Sequence, residues 1–314
     1  MASRWRITAA HSAAVLVCVV HPLQAQKIGG LRADQGKLLA TGGMTMVEGA
    51  GGGALAPWAL ITGYGTNHSW GANAHFTFIG TPDFWITGSG AGVGVLDRFE
   101  FSYTRMELKG TDSPASAAAS LAGINISQDI VGGKLRLIGD AVYDQNSWLP
   151  QLAVGALYHH HAGIHGAPPP LDVVDEPTDV GAVRNSGVDF YLAATKLYLK
   201  RSLLLNVTGR LSRANQFGLL GFGGPNSDKY KLAIEGAAAM LFSKKLAIGG
   251  EYRSKPRNLA VDAEDDAFDF GAFWFPTKNV SVVVAYVYLG NILTPATQNE
   301  NTQHGPYLSF QAGF

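Results

Sequence analysis

Strict alternation of side-chain character marks LLLNVTGRLS, residues 203–212. One set of alternate positions is apolar or glycine and consists of Leu203, Leu205, Val207, Gly209 and Leu211. The other set is polar and consists of Asn206, Thr208, Arg210 and Ser212. Because successive side chains of a β-strand point to opposite faces, the segment predicts a strand with one apolar and one polar face. Similar segments of roughly 9 to 13 residues recur from Lys37 to Phe314, which is typical of a transmembrane barrel.

The connections between these segments are of two kinds. Tight ones lie at residues 96–98, 200–201, 243–244 and 276–278, and long polar ones lie near 110–127, 161–187, 215–229, 256–265 and 291–305. A soluble sandwich shows the same alternation, but outer-membrane barrels combine short periplasmic turns with long external loops. The sequence therefore predicts an all-β fold, a transmembrane antiparallel up-and-down β-barrel with its tight connections in the periplasm.

The number of strands follows from the same rule. Counting back from the C-terminus predicts about 14 strands, with the first near Leu38 to Glu48. Twelve strands is the alternative, because the glycine-rich stretch 49–53 leaves the first hairpin open. The barrel is expected to occupy residues 37–314, after an N-terminal tail at residues 26–36 that lies in the periplasm or folds into the lumen.

Residues 1–25 predict a cleaved secretory signal peptide. Arg4 and Arg6 precede an apolar core at Ala13 to Val20, and a cleavage site follows Ala25. Its removal takes away Cys18, the only cysteine, so the mature chain cannot be stabilised by disulfides. The remaining 22 basic and 24 acidic residues predict no nucleic-acid partner.

Composition excludes a helical membrane protein. The chain of 314 residues has 39 glycines, only 15% charged residues and a mean hydropathy of +0.07. Beyond the N-terminus no stretch approaches the ~20 apolar residues that a membrane-spanning helix needs.

The C-terminal stretch PYLSFQAGF, residues 306–314, alternates up to a terminal aromatic residue. Its apolar face consists of Leu308, Phe310, Ala312 and Phe314. This pattern resembles the signal that the barrel-insertion machinery of Gram-negative bacteria reads. It predicts an outer-membrane location, with outer-membrane lipid and the insertion machinery as partners.

Four stretches of the sequence resemble an uncharacterised family of bacterial proteins, domain of unknown function 3034. They are GKLLATGGMTMVEGAGGGALAPWALITGYGT (36–66), DQNSWLPQLAVG (144–155), RANQFGLLGFGG (213–224) and EYRSKPRNL (251–259). The resemblance implies an exported outer-membrane barrel and brings no activity with it. The chain departs from the family in the His- and Pro-rich loop from His159 to Pro170.

Charged residues on the polar faces are expected to line the lumen, because a Lys or Arg facing lipid at the midplane costs about 2–4 kcal/mol. The lumen-lining candidates are Arg98, Glu100, Lys134, Arg136, Arg210, Lys231, Glu235, Glu251, Arg253 and Asp269. Their mixed signs fit either a water-filled channel or a lumen closed by salt bridges and loops. We predict a porin-like passive channel for small solutes, and the alternative is a closed structural or interaction barrel acting through its external loops.

Metal and catalytic chemistry are only weakly indicated. His159, His161 and His165 are weak metal candidates, since no cysteine or fixed carboxylate completes a known ligand spacing. No Gly-x-Ser-x-Gly motif is present, and His68 and His75 have no serine partner in an adjacent motif. We therefore predict no metal, no cofactor and no enzymatic activity, with an outer-membrane enzyme as a further, less favoured alternative.

Overall fold

Twelve long strands form a closed antiparallel barrel in the computed structural model, which describes residues 27–28, 30–42, 44–113, 122–166, 173–262, 264–292 and 302–314. The strands are β3 (Ser69–Gly80), β4 (Phe84–Val95), β5 (Phe99–Gly110), β6 (Asn125–Ile138), β7 (Gln151–His165), β8 (Ser186–Tyr198), β9 (Leu203–Ser212), β10 (Lys231–Ser243), β11 (Leu246–Arg253), β12 (Ala267–Thr277), β13 (Val280–Gly290) and β14 (Gln303–Gly313). Each strand pairs with its neighbours in sequence, and β14 pairs with β3 to close the barrel.

The described residues also form several short elements of secondary structure. Two short strands, β1 (Lys27–Ile28) and β2 (Leu31–Ala33), precede the barrel, and β2 pairs in parallel with the start of β3. Three 3₁₀ helices lie at Pro177–Val180, Leu199–Arg201 and Gln216–Gly218. Within the described ranges, no helix has the length and apolarity needed to cross a bilayer. The predicted signal peptide, residues 1–25, lies outside the described residues.

The twelve strands β3 to β14 form the wall of the barrel, and its outer and inner faces differ in polarity as the alternation predicts. On β9, Leu205, Val207 and Leu211 are exposed on the outside, whereas Asn206, Thr208, Arg210 and Ser212 are buried in the lumen. Closure pairs the backbone of every wall strand on both sides, which leaves no free sheet edge. The predicted all-β antiparallel barrel is thereby confirmed.

The two ends of the barrel differ. At the short-turn end, the connections are 96–98, 199–202, 244–245 and 278–279, with a longer one at 139–150. At the long-loop end, residues 81–83 form the one short connection, and the other five connections span 12 to 20 residues. The predicted division into tight and long connections therefore holds, apart from 139–150 and 81–83.

The predicted count of fourteen strands is wrong, and the alternative count of twelve holds. In the stretch expected to form the first strand, residues 39–42 and 44–48 instead fold inside the barrel together with the glycine-rich stretch that follows, and Leu38 is exposed. We call residues 37–66 the plug, of which residue 43 lies outside the described residues. The described residues of the plug form only isolated bridges, Thr45 with Gly51 and Gly52 with Pro57. Their backbone groups bond instead to one another and to side chains of the wall.

Candidate functional site: the plugged lumen

The plug enters the lumen from the short-turn end and turns back on itself. At the entrance, Lys37 Nζ lies 2.7 Å from Asp97 Oδ1 and donates to the carbonyl oxygens of Ile61 and Gly63. Deeper inside, the backbone N–H of Met46 donates to the carbonyl oxygen of Ala50 at 2.9 Å, which closes the turn. Both legs of the plug therefore run through the barrel and meet the inner wall.

Glu251 of β11 is the first anchor of the plug. Its Oε2 accepts hydrogen bonds from the backbone N–H groups of Ala54 at 2.7 Å and Leu55 at 2.6 Å, and its Oε1 accepts one from Trp58 Nε1 at 3.1 Å. Gly53 permits this approach, since a Cβ atom at that position would overlap the Glu251 carboxylate. One buried carboxylate thus satisfies donors that an irregular backbone would leave unpaired.

Glu100 of β5 and Lys134 of β6 form the second anchor. Glu100 accepts from the backbone N–H of Gly51 and of Thr62, each at 2.8 Å. Lys134 Nζ donates to the carbonyl oxygens of Gly51 at 2.7 Å and Leu60 at 2.9 Å. The two side chains also pair with each other at 3.1 Å, so this ion pair bridges the two legs of the plug.

Uncharged side chains add further contacts around the wall. Thr195 Oγ1 accepts from the backbone N–H of Ala59 at 2.7 Å, and Gln311 Oε1 accepts from that of Thr45 at 2.8 Å. The strands that carry these residues, β8 and β14, are not adjacent in the barrel. The plug is therefore held from several sides at once.

A cluster of buried charges surrounds Glu48 at the tip of the plug. Arg253 binds the Glu48 carboxylate, and Arg210 Nη2 lies 3.5 Å from Glu48 Oε2. Arg210 also pairs with Glu235 at 2.6 Å and with Asp189 at 3.3 Å. These ion pairs connect the plug to β8, β9, β10 and β11.

The connection 213–230 closes the lumen from the long-loop end. The Phe217 ring lies under the Arg253 guanidinium, with 4.3 Å between the guanidinium carbon and the ring centroid. The backbone N–H of Gln216 donates to Glu264 Oε1 at 2.7 Å, and Lys255 Nζ donates to Gln216 Oε1 at 2.9 Å. Burial raises the pKa of the Glu264 carboxyl above its usual range, although Lys255 opposes that shift.

Seven of the ten lumen-lining candidates are buried inside the barrel: Glu100, Lys134, Arg210, Glu235, Glu251, Arg253 and Asp269. The other three lie at its ends. Arg98 is exposed and Arg136 is half-buried at the short-turn end, where both line a cavity of about 530 Å³ beside Lys37 of the plug. Lys231 is half-buried and donates to the carbonyl oxygen of Arg257 in a long-loop connection.

The three metal candidates do not come together. His159 is fully buried in the lumen, whereas His161 Nε2 lies 3.1 Å from the carbonyl oxygen of Leu219. His165 is exposed at the end of β7. The structure instead places His159 beside Glu48 and Asp189, which sequence reasoning missed. The alternation of β8 could have assigned Asp189 to the lumen, but no local pattern marks Glu48.

Of the predicted barrel-assembly residues, Leu308, Phe310 and Ala312 lie on the outer face of β14, and Phe314 follows its last residue. Phe310 and Ala312 are exposed, and Leu308 and Phe314 are half-buried. Phe314 packs edge-on against Trp70 at 5.0 Å, and its carbonyl oxygen accepts from the backbone N–H of Tyr64. Their recognition by the insertion machinery stays a prediction.

A family model described as "Protein of unknown function (DUF3034)" matches residues 41–311. The chain belongs to this family. The matched range includes most of the plug as well as the wall, so both are parts of the family's common sequence. No curated protein matches the chain significantly.

Several solved outer-membrane barrels are similar to this family member. The KdgM porin has a TM-score of 0.45 and 10% identity, covering 78% of this chain and 99% of its own. An outer membrane channel from Pseudomonas putida F1 has a TM-score of 0.46 and 14% identity, covering 78% and 95%. The outer membrane phospholipase A from Escherichia coli has a TM-score of 0.38 and 8% identity, covering 80% and 91%. At these scores the likeness carries no functional argument.

Proposed function

We propose that this protein is an outer-membrane, porin-like channel for small solutes that is closed in the conformation described and conducts when the plug moves. The observation that carries the proposal is the way the plug is held. In its described residues the plug forms no regular strand or helix, and side chains of the wall, among them Glu251, Glu100 and Lys134, hold it through its backbone. Because these are side-chain bonds to an irregular backbone, moving the plug breaks no pairing between wall strands.

The outer surface supports the membrane location. Phe101, Leu232 and Phe270 are each at least 60% exposed on the outer surface of the wall, and water would not favour such a surface. Lipid would favour it, since outer-membrane barrels carry an apolar band outside and polar residues inside. In this orientation the short-turn end faces the periplasm and the plug enters from there.

The dimensions of the wall support conduction. Side chains alone fill the interior of a barrel of about 8 strands, whereas larger barrels enclose a cavity or channel. This wall has twelve strands, and the plug occupies the additional space. Displacing the plug would empty the middle of a lumen lined by charges of both signs. Conduction also requires the inward-folded connection 213–230 to leave the long-loop end.

Planar-bilayer recording with a reversible lock tests the proposal. The backbone N–H of Ala59 lies 2.7 Å from Thr195 Oγ1, so a disulfide between Ala59→Cys and Thr195→Cys would link the plug to β8. Residues 26–314 contain no other cysteine that could form a competing disulfide. We expect rare conductance steps for the unmodified protein, none for the oxidised pair and recovery on reduction. Glu251→Ala should raise the frequency of steps.

The second candidate is the closed barrel that acts through its long loops. The inward-folded connection 213–230 favours it, because that segment closes the end opposite to the plug entrance. If folded Glu251→Ala protein and a folded deletion of residues 38–65 both fail to conduct, the channel proposal is wrong and this candidate replaces it. The absence of enzymatic activity stays a prediction.

A further inference from the structure

The Nε2 atom of His159 is a buried acceptor that faces two carboxylates. It lies 3.9 Å from Glu48 Oε1 of the plug and 3.9 Å from Asp189 Oδ2 of β8, and all three side chains are fully buried. Neither His159 Nε2 nor Asp189 Oδ1 has a hydrogen-bond partner among the described residues. Orphaned buried polar atoms are costly, so this arrangement calls for an occupant.

The tautomer of His159 is fixed from the other side of its ring. Gln128 Nε2 donates to the carbonyl oxygen of Phe217 at 2.9 Å, which makes Gln128 Oε1 the acceptor that faces the histidine. His159 Nδ1 lies 3.2 Å from that oxygen and is therefore its donor. In the neutral ring the proton is then on Nδ1, and the Nε2 lone pair points toward Glu48 and Asp189.

The spacing of the three atoms fits a metal ion better than a shared proton. A direct N–H···O bond requires about 2.7–3.2 Å between the heavy atoms, which is shorter than either contact of Nε2. Ligand atoms bound at about 2.0–2.2 Å to a tetrahedral zinc ion lie roughly 3.4 Å apart. The ligand atoms of Glu48, His159 and Asp189 all lie within 4.8 Å of one another, so shifts of some tenths of an ångström would bring them around one ion.

The surrounding charges support a cation at this point. In the buried cluster, Glu48, Asp189 and Glu235 outnumber the two cations Arg210 and Arg253. Arg210 Nη1 lies 3.3 Å from Asp189 Oδ2, and Arg253 Nη2 donates to Glu48 Oε1 at 3.3 Å, so each carboxylate is also held by a hydrogen-bonded side chain, as metal ligands commonly are.

We propose that Glu48, His159 and Asp189 bind one divalent first-row transition-metal ion, which joins the plug to β7 and β8. One imidazole and two carboxylates without sulfur suit Zn²⁺ or Mn²⁺. Bound there, the ion would hold the tip of the plug in the lumen. The proposal does not depend on conduction, since a permanently closed barrel would bind the ion equally well.

Metal content after refolding tests the proposal. The full mature chain, without a histidine tag, is refolded in detergent with Zn²⁺ and passed over a desalting column with a weak chelator. Elemental analysis should find one zinc per chain in the unmodified protein. His159→Gln and Asp189→Asn should bind zinc at least tenfold more weakly, and Gln128→Leu about 10–100-fold more weakly.

His160→Gln is the matched control, since His160 is the next residue on β7 but faces outward. It should retain the zinc. Heat-modifiable gel migration shows that each variant is folded. If a variant does not fold, the site is tested in the unmodified protein, which is refolded with Co²⁺. Strong d–d bands in its visible spectrum indicate a buried metal site with few ligands. Substoichiometric zinc, weak cobalt bands or full retention of zinc by folded His159→Gln would overturn the proposal.

Discussion

The wall and the plug satisfy their backbone hydrogen bonds in different ways. In the wall each strand pairs with two neighbours, so the side chains are free to divide between an apolar outside and a polar lumen. In the plug the backbone depends on side chains of the wall, notably Glu251, Glu100 and Lys134. The wall is thus stabilised by many equivalent bonds between strands, and the plug by individual bonds to charged and uncharged side chains of the wall. Single substitutions should therefore affect the two regions differently.

Removing the main anchor of the plug should give the largest effect. Glu251→Ala leaves the N–H groups of Ala54 and Leu55 and the indole N–H of Trp58 without their acceptor. Since each unsatisfied buried donor costs about 1–3 kcal/mol, we expect a loss of about 3 kcal/mol or more in the free energy of unfolding. Urea unfolding in detergent measures the loss, and limited proteolysis should cleave within residues 37–66. Equal protection of the variant and the unmodified protein would contradict the anchoring role.

A charge on the outer face of the wall should give the next largest effect. Val284 lies at the middle of β13 and is 53% exposed, so Val284→Arg should cost about 2–4 kcal/mol on refolding into lipid vesicles. Val280→Arg, at the end of the same strand and on the same face, should cost only about 0–1 kcal/mol. Equal costs at the two depths would argue against a membrane around the wall.

A methyl group at the contact between plug and wall should give a smaller effect. Gly53→Ala places a Cβ atom against the Glu251 carboxylate, and overpacking of this kind costs about 1–3 kcal/mol. Gly133→Ala in β6 is the control, since nothing lies within 4 Å of the atom it would add. Thermal unfolding should separate the two variants, and indistinguishable melting temperatures would show that the plug adapts freely.

The smallest effect is expected from a change of pH on the stability of the long-loop closure, the connection 213–230 that folds into the lumen. Burial raises the pKa of Glu264, so the folded closure retains a proton that the unfolded chain releases above its ordinary pKa of 4.5. The contribution of this group to stability is therefore greatest at low pH and decreases as pH rises above 4.5. Hydrogen exchange of residues 213–224 measures the opening of the closure. Glu264→Gln should remove this pH dependence, and an unchanged pH profile would exclude Glu264 as its source.

The sequence by itself determined the two-faced character of the wall strands and most of their connections. Alternation placed β9 at residues 203–212 with Arg210 toward the lumen, and the turn residues at 96–98 separated β4 from β5. These features depend on neighbours along the chain, because the side-chain period of a strand is two and a tight turn spans a few residues. The counting rule failed at residues 38–48, where it predicted the first strand but the described residues form only the isolated bridge between Thr45 and Gly51.

Only the tertiary structure decided what fills the lumen. Closure of β14 on β3 sets the interior that the plug must fit, and it brings together residues as distant as Glu48 and Arg253, 205 positions apart. The acceptors for the plug backbone and the partners of His159 likewise come from separate strands. No periodic pattern in the sequence predicts such contacts, since they depend on strand register and barrel closure rather than on neighbouring residues.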